Sequence, residues 1–306
     1  MSALVPTKIL AWLLEYMSKS NSILARGLVM RETSREVARE VVAEKSKEIL
    51  NGQGDRLKDV MSLLIKANMS PQNENSRLSD EELLAQMLAV FIVGHETAAN
   101  TISWTLLELS RRVEIQTKLR EELHTKEREI AIEGRSEFTA GDLESLPYLN
   151  AVLKESLRYH TVAVRVPKTA LTDDCLPLGE PIKTVRGVEI NELHVAKGTR
   201  IFISTAAYNR NEALFGDDAH EFRPERWLEK TGTGLGKGGA NVIYSNLLFE
   251  VQAFVVELIR NFEFSVATEC GTIRREAALV MVPTIEGKLE KGVQCPLRVK
   301  FAKRDE

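Results

Sequence analysis

Along the first half of the chain, apolar residues recur every three or four positions, the spacing of helices with one buried face. Ile9, Leu10, Leu13, Leu14 and Met17 set one such face. It reads either as a helix packed on its own core or as an amphipathic segment resting on a membrane surface. The run Ile9 to Leu14 is far shorter than the roughly 20 apolar residues that span a bilayer. Residues 31–50, rich in Glu, Arg, Val and Ala, predict a helix stopped by Asn51-Gly52. Residues 56–67 predict a short amphipathic helix ahead of Pro71, and residues 72–77 a polar loop. Ser79, with Glu82 three residues on, makes a capping box that opens a long helix from Asp80 to about Arg112. Its uncharged stretch Ala89 to Gly94 predicts a buried middle. Residues 114–131 and 142–159 predict two more helices, the second starting beyond Thr139.

After His160 the pattern changes. Residues 161–204 carry Val, Ile and Thr in short runs broken by Pro and Gly, which predicts strands. A glycine-rich loop spans residues 232–241, and a helix is expected over 249–260. Residues 262–301 read as short strands with turns at Gly271, Gly287 and Gly292. Helices segregated from a smaller strand region predict a mainly α, α+β fold. The expected organisation is one domain over 1–306, helical over 1–160 and mixed strand and helix over 161–306.

Composition narrows the function classes. The 41 basic and 44 acidic residues leave a net charge of −3, so nothing draws the chain to nucleic acid in bulk. Hydrophobic residues at 43% and charged residues at 28% are ordinary for a soluble globular protein. The three cysteines, Cys175, Cys270 and Cys295, are far apart and form neither a disulfide framework nor a CxxC knuckle. A reducing compartment fits them.

Val93-Gly94-His95-Glu96-Thr97 places a glycine, a charge and a β-branched hydroxyl inside the long helix. A glycine there costs about 1 kcal/mol relative to alanine, and such clustered local costs occur where function overrides stability. The alternative is a close helix crossing at Gly94 with Glu96 on a wet face. A zinc-protease reading of His95-Glu96 fails because Ala99 stands where the second histidine is required. His124, His160, His194 and His220 are scattered and read as structural. Glu155 and Arg158, three apart, share a helix face where they can pair, as many surface residues do. Phe222-Arg223-Pro224-Glu225-Arg226-Trp227 reads as an extended loop whose Arg226 could join that pair, or as a surface loop with an aromatic anchor. The glycine-rich loop lacks the P-loop pattern, since Thr231 and Gly238 occupy two of its required positions. No Gly-x-Ser-x-Gly elbow occurs.

The order and spacing of three of these motifs resemble the successive signatures of the cytochrome P450 family. They are Gly94-His95-Glu96-Thr97, Glu155-x-x-Arg158 and Phe222-Arg223-Pro224-Glu225-Arg226-Trp227. Asp173 to Leu178, Val195 to Thr199, Asn209-Arg210 and Phe215-Gly216-Asp217 are similar to the family's intervening strand region. The resemblance runs from about residue 8 to residue 300 and is that of fungal, membrane-associated members. It implies a P450-like helical fold with small β-sheets, and a haem-dependent monooxygenase inserting one oxygen atom from O2 into an apolar organic substrate. Gly94 would make room for dioxygen, and Glu96 and Thr97 would relay protons to it. Glu155, Arg158 and Arg226 would form a buried ion network behind the haem. Lys168, with Arg165 as a rival, would hold a haem propionate, and Val162, Ala163 and Val164 would line the substrate pocket. The implied partners are an NADPH-dependent reductase and the small substrate. A monomer at the endoplasmic reticulum membrane is implied as well, with possible surface contact and no transmembrane segment in this chain.

Two departures qualify this. Val242 to Leu248 resembles the approach to the family's Phe-Gly-Arg-Cys haem loop, and Phe249 to Phe254 resembles the middle of the helix after it. The cysteine that would ligate iron falls in the gap at Leu248-Phe249, as if an exon were skipped, and no remaining cysteine stands immediately before that helix. The chain also starts near the middle of the family's usual length. The expectation is therefore an incomplete P450 fold with no metal ligand, unable to retain haem and inactive as written. The alternative is a non-catalytic fragment or partner-binding pseudoenzyme.

Overall fold

The computed structural model describes residues 22–53, 59–70, 77–228, 248–277 and 280–303. The expected face at Ile9 to Met17, the glycine-rich loop 232–241, most of the 72–77 loop and the Val242–Leu247 segment lie outside these residues. The chain divides into two compact units, Met1–His95 and Glu96–Glu306.

In the first unit, helix α1 (Ser22–Glu48) runs into a π-helical turn at Ile49–Gln53. Gly52 takes φ 77° there, a left-handed conformation that side chains disfavour, so the chain stops where the sequence places its glycine. Helix α2 (Val60–Met69) starts later than the expected residue 56 because Asp59 caps it, accepting a 3.0 Å bond from Ser62 N. Lys45 Nζ reaches the same carboxylate at 2.8 Å and ties α1 to α2. Helix α3 (Asp80–Arg111) opens on the expected capping box: Ser79 N donates to Glu82 Oε2 at 2.9 Å and Glu82 N to Ser79 Oγ at 3.4 Å. Ala38, Ile65, Leu83 and Met87 form this unit's buried core. Within the Ala89–Gly94 stretch, expected to be buried, Ala89 and Val93 are exposed and Val90 and Gly94 half-buried. Leu83 and Met87 carry the buried face one turn apart, and Ala89 and Val93 project from a different face.

In the second unit, the C-terminal half of α3 packs with α4 (Val113–Ile132), α6 (Pro147–His160) and α9 (Leu248–Asn261). Leu109, Leu119, Leu123, Leu149, Leu153, Val255 and Ile259 are fully buried at their junction. The helix expected over 142–159 is two helices. Thr139 caps α5 (Ala140–Glu144) in a capping box with Asp142, and α6 restarts at Pro147. Proline lacks the N–H that a helix interior needs and fits only the first turn, so it divides the periodic pattern.

The strand region forms antiparallel pairs, each two strands wide among the described residues. β1 (Arg165–Thr169) pairs with β4 (Arg200–Ser204), enclosing a hairpin of β2 (Asp174–Lys183) and β3 (Glu189–Val195). β5 (Phe262–Val266) pairs with β8 (Leu297–Phe301), enclosing β6 (Ile273–Ala277) with β7 (Met281–Ile285). Among the described residues between β4 and α9 lie two one-turn helices, α7 (Thr205–Tyr208) and α8 (Glu212–Phe215), and a 3-10 turn at Pro224–Trp227. The fold is mainly α with small antiparallel sheets, as expected. Among the described residues no helix is long and apolar enough to cross a membrane.

Candidate functional site

The Gly94–Thr97 stretch sits mid-helix in α3. Gly94 and His95 close the first unit, and Glu96 and Thr97 open the second. A Cβ at Gly94 would meet nothing within 4 Å, so among the described residues no close helix crossing explains this glycine. Glu96 is half-buried and Thr97 buried. Beyond them, side chains bond back to the preceding turn. Asn100 Nδ2 donates to Glu96 O at 2.8 Å, Thr101 Oγ1 to Thr97 O at 2.7 Å, and Thr105 Oγ1 to Thr101 O at 2.8 Å. Such back-bonding satisfies polar side chains inside a helix and tends to bend it.

The structure brings Glu155, Arg158 and Arg226 together in a cage with side-chain exposures of 0%, 2% and 1%. Glu155 Oε1 accepts from Arg158 Nη2 (2.8 Å), Arg226 Nε (3.0 Å) and the Arg223 backbone N (2.8 Å). Its Oε2 accepts from Arg158 Nε (2.9 Å) and the Trp227 indole (2.9 Å). Arg158 spends its remaining donors on the carbonyls of Asn209 (2.7 Å), Ala219 (2.6 Å) and Glu221 (2.8 Å). Arg226 reaches Phe215 O (3.0 Å), Asp218 Oδ1 (2.9 Å) and Asp218 O (2.9 Å). A buried charge is tolerated when every donor and acceptor is occupied, and this cage meets that condition. It clamps the irregular segment 209–227 onto α6. Burial would raise the Asp218 carboxyl, but the bonds and charges of Arg226 and Arg223 hold it below the usual range. Asp218 and the Trp227 indole join the cage beyond the three residues the sequence predicts. The adjacent Phe215-Gly216-Asp217 and the tryptophan of the Phe222–Trp227 motif were the available signals.

A second buried network, carried by no motif of the sequence, lies at the end of α6. His160 ends α6 against Glu108 of α3, with His160 Nε2 2.7 Å from Glu108 Oε1. Arg275 Nε donates to His160 Nδ1 at 3.2 Å, so the ring is the neutral tautomer with its proton on Nε2. Trp104 stacks on the ring at 4.2 Å, and its indole donates to Met281 O at 3.0 Å. Burial pushes His160 down to about 4, overriding the pull of Glu108. Burial would raise Glu108, but the His160 hydrogen bond and the charges of Arg112 and Arg111 hold it at about 2. The arginines keep Glu108 ionised while the imidazole stays neutral. The sequence signal was Glu108 itself, a charge inside Leu106-Leu107-Glu108-Leu109.

The other expected residues lie at and beyond the end of α6. Val162 is buried with Val280 and Val282, while Ala163 and Val164 are half-buried. Arg165 and Lys168 are exposed on β1, and their odd spacing puts them on opposite faces of the strand. The Arg165 guanidinium lies 5.3 Å from the centre of the Phe202 ring.

Residues 10–242 match the family described as Cytochrome P450. The chain is 36% identical over 291 residues to Cytochrome P450 monooxygenase 205 of Postia placenta, covering 88% of this chain and 52% of that protein. It is 34% identical over 303 residues to Cytochrome P450 monooxygenase claQ of Ampulloclitocybe clavipes, covering 89% and 52%. It is 35% identical over 229 residues to Ganoderic acid synthetase CYP5150L8 of Ganoderma lucidum, covering 73% and 42%. The chain belongs to the cytochrome P450 family. It spans about half the length of the curated relatives it matches.

Haem is the cofactor this family implies, and in it a cysteine thiolate holds the iron. The cysteines here do not fit that duty. Residues 228–253, the approach to α9 and its start, hold no cysteine. Cys175 lies exposed on β2, 2.8 Å from His194 Nδ1, and desolvation followed by the charges of Glu192 and Asp174 pushes its thiol up. Burial pushes Cys295 up to about 11, with its Sγ 3.7 Å from Ser103 O. Cys270 sits in a 3-10 turn after β5.

Proposed function

We propose that this chain is the helix-and-network part of a haem-dependent monooxygenase that inserts one oxygen atom from O2 into an apolar organic substrate. We propose also that the polypeptide as written does not form the thiolate-ligated centre and does not turn over. The first part is supported by one observation above all: the family match runs through both the Glu96–Thr97 turn and the saturated Glu155–Arg158–Arg226 cage. The second part rests on the missing cysteine ahead of α9.

In this reading Glu96 and Thr97 hold and pass protons on the α3 face, and Gly94 keeps that face open. The cage fixes α6 against the segment ending at Trp227, so the residues that follow start from a rigid anchor. Arg165 or Lys168 supplies a cation for a carboxylate, and Val162, Ala163 and Val164 give an apolar wall. The full protein would take electrons from an NADPH-dependent reductase at the endoplasmic reticulum membrane and act as a monomer.

The test has two arms. The chain is expressed with added haem, reduced and exposed to carbon monoxide, and no absorption band of thiolate-ligated iron is expected. Appearance of that band would refute the proposed defect. Transcripts from the same locus are sequenced across Leu248-Phe249. A cysteine-coding segment there would support the monooxygenase reading, and its absence from transcripts and genomic sequence alike would favour a non-catalytic, partner-binding chain.

A further inference from the structure

Away from the cage and the Gly94–Thr97 turn, the β2–β3 hairpin brings three metal-binding side chains to one face. Cys175 and His194 are direct partners in the antiparallel register. Glu192 lies two residues before His194 on β3, which places it on the same face of the strand. Cys175 Sγ is 2.8 Å from His194 Nδ1, and His194 Nε2 is 3.5 Å from Glu192 Oε1. One ligand atom from each residue lies within 4.8 Å of those of the other two.

We propose that this face binds a divalent cation of the zinc type through Cys175, one nitrogen of His194 and the Glu192 carboxylate, with water completing a tetrahedron. The donor set decides the metal. A thiolate with an imidazole and one carboxylate suits zinc, whereas magnesium and calcium take oxygen cages. Ligands on a tetrahedral zinc stand about 3.5 Å apart, so small movements of the side chains close the site. The side chains of His194 and Glu192 are 78% and 57% exposed and free to make them. The backbone beneath is fixed, with Asp174↔Val195 and Leu176↔Leu193 flanking the Cys175↔His194 pair. Charge points the same way. Asp174 Oδ1 accepts from Cys175 N at 2.8 Å, which adds a second carboxylate beside the thiol and favours a cation. A thiol–imidazole hydrogen bond would account for the 2.8 Å contact alone. Glu192 beside the other ring nitrogen would extend that bond into a metal-free chain, and the two arrangements differ in what they do with a metal.

The full chain, freed of metal and kept reduced, is titrated with Co2+ as a spectroscopic probe and then with Zn2+ as competitor. One Co2+ should bind per chain, with a thiolate-to-cobalt charge-transfer band in the near ultraviolet that Zn2+ displaces. Cys175→Ser should abolish the band, while Cys270→Ser and Cys295→Ser should leave it. His194→Ala and Glu192→Gln should each weaken binding by about tenfold or more. Far-ultraviolet circular dichroism checks that each variant keeps its fold. A wild-type chain without the band, or a band that survives in Cys175→Ser, overturns the site. Unchanged affinity in Glu192→Gln overturns the three-ligand form.

Discussion

Glu155 is a single carboxylate that accepts from two guanidiniums, an indole and a backbone N–H while wholly enclosed. Removing it leaves the Arg158 charge buried without a counter-charge and Arg226 with Asp218 alone. Breaking such a pair costs about 3–5 kcal/mol, several times what a surface pair contributes. Glu155→Ala should therefore lower unfolding free energy by about that amount, measured by urea titration. A loss below about 1 kcal/mol would show that water reaches the arginines. The sequence could not separate these cases. An i, i+3 Glu-Arg pair looks the same on a surface as in a core, and only the order of motifs pointed to burial. Asp218 escaped because its role depends on a loop folding back over α6, which local spacing does not encode.

At the scale of elements, α3 and α6 meet through Glu108 and His160, and this contact titrates. His160 carries a folded value of about 4 against 6.5 when free, so the unfolded chain gains its proton first as pH falls. Stability conferred by the neutral ring is then lost between about pH 6.5 and 4. Glu108, held at about 2 against 4.5, adds a second loss as pH drops from 4.5 through 2. Urea midpoints should thus decline from pH 7 to pH 4, and His160→Gln should flatten that decline. An equally steep profile in the variant would assign the proton uptake elsewhere. The elements themselves were largely legible. Ser79–Glu82 and Asn51-Gly52 mark helix ends through chemistry carried on adjacent residues, and the structure places those ends there. The Pro147 break was missed because the apolar period continues across it while the backbone does not. The Cys175–His194 pairing was missed because cross-strand register joins residues 19 apart.

Across the whole molecule, a well-buried helical core contrasts with thin sheets. Leu171 and Val185 are 82% and 107% exposed, and Phe202 and Ile203 are more than half exposed. Large apolar side chains left open to water are points of self-association. Leu171→Thr with Val185→Thr should reduce dye binding and light scattering while changing stability by no more than about 0.5 kcal/mol. A comparable loss of stability would mean those side chains pack against something in solution. The sequence anticipated a helical part and a strand part. Which strand faces stay open depends on long-range packing, so the alternation of residues did not reveal it.

The cage around Glu155 also sets a timetable. Its carboxylate leaves the ribosome 71 residues before Arg226; Arg158 and Arg223 arrive in between, and Trp227 follows one residue after Arg226. Until they emerge, α6 can bury the Glu155–Arg158 pair only with donors and acceptors left unmet, which disfavours its settling into the core and leaves it within reach of chaperones. A nascent chain halted ahead of Trp227 is thus marked as unfinished by one glutamate, well before any cofactor is at stake.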